Sequence, residues 1–559
     1  MTTTSTAATE RETAGGDLAG QTLPGLMMDV PLTIRGILEH AVRNHPRREI
    51  VSREGGGVIR ETYAQFGRRT AQLAFALKRI GIAPGDRVAS FGWNTHRHLE
   101  LYYAVPSMGA VLHTTNIRLF PEQVGYVLRH AGDKAVFVDA SLVPAMQKAI
   151  DAVPALGALT YVVMGETDAV LPNAYDYETL LAAEEGEFAW PDFDENSAAI
   201  LCYTSATTGD PKAALFSHRS TVIHALASGL ADALGVTQRD SVLPIVPQFH
   251  VNAWGLPYSA LMVGAKLVMP GERLDPQSLC ALIRDEGVTM SAGVPTVWLA
   301  ARDYLRASGA RVPTLKRVII GGSAVPPALF DDLEDLGITV VHAWGMTEMS
   351  PIGTVGMLKA ELAELPTAHQ RRKRLKQGTF SCIVQWKVID DDGREVAHDG
   401  VARGELFVRG PAIARAYYNN PQATDASFFD GWFKTGDIVT VDEDGYMEIV
   451  DRSKDMVKSG GEWISSVELE NTLMGHPAIR EAAVFGLPHE KWIERPVAAV
   501  VLREGMAAAE DEIRDWLGER VAKWWLPDRI IFVDVIPRTG VGKFLKRELR
   551  ERFATLLTG

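Results

Sequence analysis

A chain of 559 residues, 46% hydrophobic and 23% charged, is too long for one ordinary core and has the balance of a folded protein of roughly two to four structural units. A formal net charge of −13 argues against a general nucleic-acid binder, and three cysteines without a CxxC pair argue against a disulfide scaffold or a zinc–thiolate centre. Cys202, Cys280 and Cys382 read instead as small buried hydrophobes. Residues 1–20, rich in Thr, Ala, Glu and Gly, read as a flexible tail. No stretch reaches about 18 apolar residues without charge or repeated glycine, so no membrane-spanning helix and a cytoplasmic setting are expected.

In chain order, Thr33–Arg43 has helical spacing of apolar residues. Two short strands follow at 49–53 and 58–63 around a Gly-rich turn, then a helix over 64–79. Arg87–Phe91 reads as a buried strand, and 96–108 as a helix. The alternation continues through 109–115, 121–130 and 135–138, with further strands at 242–246, 266–269, 289–292 and 318–320. Strands alternating with helices predict an α/β body with several sheets. The segment His369–Lys376 is strongly basic and reads first as a solvated helix face, with a polyanionic ligand or another subunit as the alternative.

The texture changes beyond Gln377. Segments 383–389, 404–408 and 445–450 look β-rich, with Asp/Gly turns. The polar stretch Asp451–Lys454 then interrupts the pattern, as a static linker or a hinge. Helix, strand, strand, helix and strand follow at 467–473, 479–485, 497–501, 512–521 and 529–533, the order of a small α+β domain. The expected division is therefore 21–450 and 451–559.

Leu201–Thr204 is a strand that enters a loop of hydroxyl residues, Ser205, Thr207, Thr208, then Gly209 and Lys212. Hydroxyls and backbone N–H groups wrap phosphate oxygens, and a lysine adds a mobile positive charge. The spacing differs from the P-loop pattern GxxxxGK[ST], so alone it also fits a polar surface turn. Other segments carry related chemistry. Gly321, Gly322 and Ser323 follow a buried strand, and glycine admits a flat ring close to the backbone. Residues 341–348 read Val-His-Ala-Trp-Gly-Met-Thr-Glu. Residues 431–437 end in Asp437, and 537–546 place Lys543 after two glycines.

Together, in this order and across nearly the whole chain, these motifs resemble the adenylate-forming superfamily, within it the medium- and long-chain fatty acid–CoA ligases. The resemblance implies a large adenylation domain, built of two α/β sheets plus a β-rich subdomain, and a small mobile C-terminal α+β domain. It implies ATP, Mg²⁺ and coenzyme A as reactants, a carboxylic acid as substrate, and a homodimer. ATP is expected at Thr204, Ser205, Thr207, Thr208, Gly209, Lys212, Gly321, Gly322 and Ser323, at His342, Ala343, Trp344, Gly345, Met346 and Thr347, and at Asp437, Arg452 and Lys543. Trp344 sits where an aromatic commonly stacks on adenine, and Asp437 where a carboxylate accepts from the ribose. Thr204 and Glu348 are the expected Mg²⁺ ligands, hard oxygens for a hard cation. Lys543 is the expected catalytic lysine, with Thr347, Glu348 and His250 beside the reacting groups.

Residues 247–255, Pro-Gln-Phe-His-Val-Asn-Ala-Trp-Gly, resemble the acyl motif of the same branch. Val251, Trp254, Gly255, Val294, Pro295 and Thr296 are the expected pocket wall, with Trp254 as a gate or as core. Asp451 is the implied hinge. Lys454, Ser459, Gly460, Gly461, Trp463 and Lys523 are the implied coenzyme A side, and Lys546 reads as solvated. The chain departs from the family pattern at Ala206 and Ala213, where glycine is usual, at Gln248, where methionine is usual, and over 377–384. The implied activity is fatty acid–CoA ligation through an acyl-adenylate. The alternatives are a CoA ligase for a short, aryl, branched or sulfur-containing acid, an adenylating enzyme with another acceptor, and a weakly active or non-catalytic nucleotide-binding homologue.

Overall fold

The computed structural model describes residues 25–204, 210–459, 462–538 and 544–557. The expected tail at 1–20 lies outside them. Residues 25–31 form no regular element and expose Leu26, Met27 and Met28.

From Leu32 onward the chain builds two large sheets. The seven-stranded sheet runs in the order Ala174–Asp176, Thr160–Met164, Asp133–Asp139, Arg87–Phe91, Val111–Thr114, Ala198–Tyr203 and Ala213–Ser217. Its strands pair in parallel until the last, which turns back antiparallel on Ala198–Tyr203. Strands buried on both faces have little room for polar alternation, which explains runs such as Val-Ala-Ser-Phe at 88–91. The helices Tyr63–Arg79 and His96–Ser107 share one core with this sheet through Phe66, Leu73, Leu99 and Tyr103. Thr62 and Gln65 form a capping box at the start of the first helix, and Thr95 caps the second.

The nine-stranded sheet runs Thr379–Phe380, Ile352–Val355, Thr339–Gly345, Arg317–Ile320, Met290–Gly293, Ser241–Pro244, Lys266–Met269, Glu49–Glu54 and Gly57–Thr62. Its centre is parallel and its outer strands antiparallel. The β-rich subdomain follows, with Gln385–Ile389, Gly404–Arg409, Trp432–Val441 and Phe428–Phe429 in one sheet and Met447–Arg452 beside Trp432–Val441. The C-terminal unit packs the helices Ser466–Met474 and Glu510–Gly518 on the sheet of Val457–Ser459, Ile479–His489, Ile493–Leu502 and Arg529–Phe532. This is the expected class: two α/β sheets, a β subdomain and a smaller α+β unit. A hairpin, Val457–Ser459 with Glu462–Ile464, precedes the expected C-terminal order, and a helix, Lys546–Arg552, follows it.

Four local expectations are corrected. The basic segment is a helix, Thr367–Leu375, but its charges are not a solvated face. Arg371 pairs with Asp331, Arg374 with Glu334, and Lys373 and Lys376 both with Asp442. The segment therefore fastens the helix Pro327–Asp335 to the β subdomain through four of its basic residues, while Arg372 stays exposed. Asp451 lies within a strand, not a turn, because Met447–Arg452 pairs through Ile438↔Asp451 and Asp437↔Arg452. Cys382 is exposed, unlike the buried Cys202 and Cys280. Lys546 is buried, not solvated, at 8% exposure.

Candidate active site

The motif segments converge because each follows the C-terminal end of a strand in the two large sheets. Thr204 follows Ala198–Tyr203, residues 247–255 follow Ser241–Pro244, Val294 follows Met290–Gly293, Gly321 follows Arg317–Ile320, and Thr347 follows Thr339–Gly345. In open α/β sheets this is where ligands bind.

The phosphate-loop segment is closed at its base. Thr204 N–H donates to Lys212 O at 2.8 Å, and Lys212 N–H donates to Thr204 Oγ1 at 3.2 Å. Ser205, Thr207, Thr208 and Gly209 lie outside the described residues, as does Ala206. Ala213 is within the strand Ala213–Ser217, paired with Tyr203 and fully buried, and its carbonyl accepts from Tyr418 N–H at 2.8 Å. Its backbone is outside the left-handed region, so its φ does not call for glycine.

Tyr417 links this segment to Glu348. The Lys212 ammonium lies 4.9 Å from the Tyr417 ring centroid, within cation–π range. The Tyr417 hydroxyl donates to Glu348 Oε1 at 2.6 Å. Burial and the Glu348 charge hold that phenol far above its ordinary range, so it remains a donor. Among the described residues no group of three or more His, Cys, Asp or Glu could hold a metal. Mg²⁺ commonly takes one or two carboxylates and completes its shell with water and substrate phosphates. Glu348 and Thr204 offer oxygen donors of the kinds that mode uses, a carboxylate and a hydroxyl.

Gly321 makes the nucleotide and acyl segments contiguous. A Cβ there would lie 2.5 Å from Ala343 O and 3.3 Å from Trp254 Cη2. Gly322, at φ +84°, faces Val294 Cγ1 in the same way at 3.4 Å. His342 is buried, its Nδ1 lies 2.9 Å from Leu375 O, and burial pushes its pKa down to about 4. A neutral imidazole donating Nδ1–H to that carbonyl satisfies both observations. Trp344 donates Nε1–H to Asp437 Oδ2 at 2.9 Å, and Arg452 Nε is 2.6 Å from Asp437 Oδ1. A Cβ on Gly353 would come within 2.6 Å of Trp344 Cζ3, so one side of the indole is packed on backbone.

The acyl motif takes an uncommon backbone. Val251, Asn252, Ala253 and Trp254 all have positive φ (43°, 55°, 47° and 57°), followed by Gly255 at 77°. This is one left-handed turn, which costs roughly 1–2 kcal/mol per non-glycine residue. Gly255 is required twice, by its φ and because a Cβ would lie 2.9 Å from His224 Nδ1. His224 Nε2 accepts from Ile352 N–H at 3.1 Å, and burial lowers its pKa to about 4. Trp254 is 9% exposed. His250 is half-buried, as are Val294 and Thr296, and Pro295 is buried.

Gln248, three residues before Val251, is a buried polar side chain in the same motif. Its N–H donates to Asn94 Oδ1 at 2.7 Å and its carbonyl accepts from the Tyr102 hydroxyl. Its side chain is fully buried, yet neither Nε2 nor Oε1 has a hydrogen-bond partner among the described residues.

At the start of the C-terminal unit, Ser465 Oγ donates to Val450 O at 2.6 Å and Ser466 N–H to Asp451 Oδ2 at 2.5 Å. Burial and the neighbouring Arg452, Arg547 and Arg550 lower the Lys454 pKa. Ser459 is buried and accepts from Arg495 Nη1 at 3.1 Å. Arg495 also donates to Trp524 O and Leu526 O and pairs with Asp528, so it holds the segment of exposed Lys523 against Ser459. Sequence reading missed Arg495, because its partners, two backbone carbonyls and the side chains of Ser459 and Asp528, lie 29 to 36 positions away. Trp463 is partly exposed, with Lys458 Nζ 5.2 Å from its ring centroid. Gly460, Gly461 and Lys543 lie outside the described residues.

Comparison with known proteins shows the family. Residues 38–418 match the AMP-binding enzyme family and residues 468–543 the AMP-binding enzyme C-terminal domain. The chain is 44% identical over 542 residues to a 3-methylmercaptopropionyl-CoA ligase of Ruegeria lacuscaerulensis, covering 96% of this chain and 100% of that one. It is 46% identical over 539 residues to a long-chain-fatty-acid–CoA ligase of Thermus thermophilus, covering 96% and 98%. Among solved structures, an anthranilate CoA ligase in complex with anthranoyl-AMP superposes with a TM-score of 0.84 at 25% identity, covering 95% of this chain and 99% of that one. With both family matches in order and relatives aligned end to end, the chain belongs to the AMP-binding enzyme family and is an AMP-forming acid–thiol ligase.

Proposed function

We propose that the chain forms the CoA thioester of a short or functionalised carboxylic acid, one carrying a sulfur, aryl or other polarisable group, in preference to a plain long fatty acid. The observation that carries this reading is Gln248. A buried amide with no partner costs about 1–3 kcal/mol, so a substrate group that donates or accepts a hydrogen bond, such as a ring substituent or, more weakly, a thioether sulfur, is the natural recipient of its hydrogen bonds. A saturated hydrocarbon chain supplies none. The 3-methylmercaptopropionyl-CoA ligase and the anthranilate CoA ligase act on acids of that kind. The relative named for long-chain fatty acids, at 46% identity, supports fatty acids as the second reading.

The chemistry has two balanced steps. The acid's carboxylate attacks the α-phosphorus of ATP, the bond to the β-phosphate oxygen breaks, and pyrophosphate leaves. The CoA sulfur then attacks the acyl carbon, its thiol proton passes to solvent, and AMP leaves. Mg²⁺, when bound, neutralises phosphate charge. Glu348 and Thr204 would hold it. Lys212 offsets the negative charge of the approaching groups, and Tyr417 orients Glu348. Lys543 serves the first step, and His250 stands beside the carboxyl. Asp437 and Arg452 hold the ribose, with Trp344 beside the adenine. Asp451 is the hinge that exchanges Lys543 for the Ser459–Trp463 side, where CoA enters. We place the enzyme in the cytoplasm as a homodimer.

The test is kcat/KM for 3-methylmercaptopropionate, an aryl acid and straight-chain acids of matched length, on the wild type and Gln248→Met. The heteroatom acids are expected to lead in the wild type. Gln248→Met is expected to cut that preference by about 10–100-fold. Straight-chain acids leading in the wild type, with a ratio indifferent to Gln248→Met, would overturn the proposal in favour of the second reading.

A further inference from the structure

Lys546 opens the helix Lys546–Arg552 at the neck of the segment that contains Lys543. The neck is pinned on both sides. Leu545 N–H donates to Pro537 O at 2.8 Å, Arg538 and Phe544 form a β-bridge, and Arg538 Nη2 is 2.9 Å from Glu481 Oε2. The next residue, Lys546, turns inward. Its ammonium donates to Ser466 Oγ at 2.5 Å and lies 2.7 Å from Glu470 Oε1. Ser466 in turn gives its backbone N–H to Asp451 Oδ2 at 2.5 Å. Asp451, Ser466, Glu470 and Lys546 are all buried, at 1%, 0%, 7% and 8% exposure. Two carboxylates thus share the field of one buried cation, and one of them is the proposed hinge.

A buried ion pair is a poor device for stability alone, since desolvating the charges costs several kcal/mol and apolar side chains of like volume often do as well. Its geometric specificity is harder to replace. Asp455 also acts on Lys546, and it is itself paired with Arg550 at 2.8 Å. The path from Asp451 through Ser466 to Lys546 is short, and it ends at the neck of the Lys543 segment.

We propose that Lys546 is a positioning residue that ties the Lys543 segment to the Asp451 hinge, so that the hinge setting fixes where that segment is presented. It touches no reactant. The inference rests on the reading of Lys543 as the adenylation lysine and of Asp451 as the hinge. Its signature is selective: the adenylation step depends on Lys546, and the thiol step does not.

The experiment measures both half-reactions, ATP–pyrophosphate exchange for adenylation and thioester formation from supplied acyl-AMP for transfer. The variants are Lys546→Met/Glu470→Gln, which removes the cation without leaving a buried anion at 470, and Lys546→Arg, which keeps the charge. In the double variant the exchange kcat is expected to fall at least about tenfold, with KM for ATP and acid within about twofold and transfer within about threefold. Lys546→Arg is expected to recover most of the loss. If the double variant does not fold, Ser466→Ala, which cuts one link and no charge, carries the test: exchange is expected to fall about threefold with transfer unchanged. Exchange at wild-type rate in a folded variant, or equal loss in both half-reactions, overturns the inference. Lys543→Ala run alongside separates the failures. Intact exchange in Lys543→Ala sinks the underlying reading, whereas lost exchange there with wild-type exchange in the Lys546 variants sinks only this one.

Discussion

The Tyr417 hydroxyl donates to Glu348 Oε1 at 2.6 Å, and the ring that carries it lies 4.9 Å from the Lys212 ammonium. One side chain thereby sets the spacing between the lysine proposed to meet the phosphates and the carboxylate proposed to meet Mg²⁺. Tyr417→Phe keeps the ring and loses the bond to the carboxylate, which is worth about 1.5–3 kcal/mol for a charged partner. Adenylation is expected to fall about tenfold and to require more Mg²⁺ for half-saturation. Tyr417→Ala, which also frees Lys212, is expected to cost more. A Mg²⁺ titration of pyrophosphate exchange in both variants checks it; unchanged Mg²⁺ dependence would refute the linkage.

Trp344 and Arg452 both engage Asp437, at 2.9 and 2.6 Å. Asp437→Ala leaves a buried indole N–H without an acceptor, at a cost of about 1–3 kcal/mol, and an arginine without its anion. Thermal unfolding is expected to move down by several degrees and KM for ATP to rise. Asp437→Asn retains an acceptor and is expected to recover most of the stability but not the affinity. Equal stability of all three proteins would show that the contact is incidental.

His342 makes a pH prediction with a definite sign. Its folded pKa of about 4 lies below the ordinary 6.5, because burial penalises the charged ring. The stability this contributes is present in full above pH 6.5 and is lost as pH falls toward 4. By pH 5 the loss is about 2 kcal/mol. His342→Asn lacks the titrating group, so the gap between wild type and variant is expected to shrink by that amount between pH 7.5 and pH 5. Parallel stability curves would contradict the burial argument.

The left-handed turn at 251–254 offers a strain test. Ala253 has φ 47° and a fully buried methyl. Losing a buried methyl elsewhere costs about 1 kcal/mol, but glycine relieves a left-handed conformation by about the same amount. Ala253→Gly is therefore expected to leave the unfolding temperature near that of the wild type. A loss of the size seen for Ala→Gly at an ordinary buried helix position would show that the turn is unstrained.

The fold class was legible because apolar strands and amphipathic helices alternate with clear boundaries, and Arg87–Phe91 and Lys266–Met269 fall where the pattern puts them. The site segments were legible as ordered motifs, since each lies at a strand end where local chemistry differs from the core. What was hidden depends on contacts distant in sequence. Tyr417 and Glu348 are 69 positions apart, and no local pattern pairs them. Lys546 looks like an ordinary surface lysine until Ser466 and Glu470 are folded over it. The basic helix at 367–375 reads as solvated because its counter-charges come from residues 331–334 and 442–444. The turn at 251–254 has no glycine before Gly255, so nothing in Val-Asn-Ala-Trp announces positive φ.

The division of labour between Lys543 and the remainder of the site is the claim on which the rest depends. It is measured by pyrophosphate exchange and by thioester formation from supplied acyl-AMP in Lys543→Ala. Exchange is expected to fall by about two to three orders of magnitude, with transfer within a few-fold of wild type. Loss of both half-reactions by the same factor, or exchange that survives intact, would contradict it.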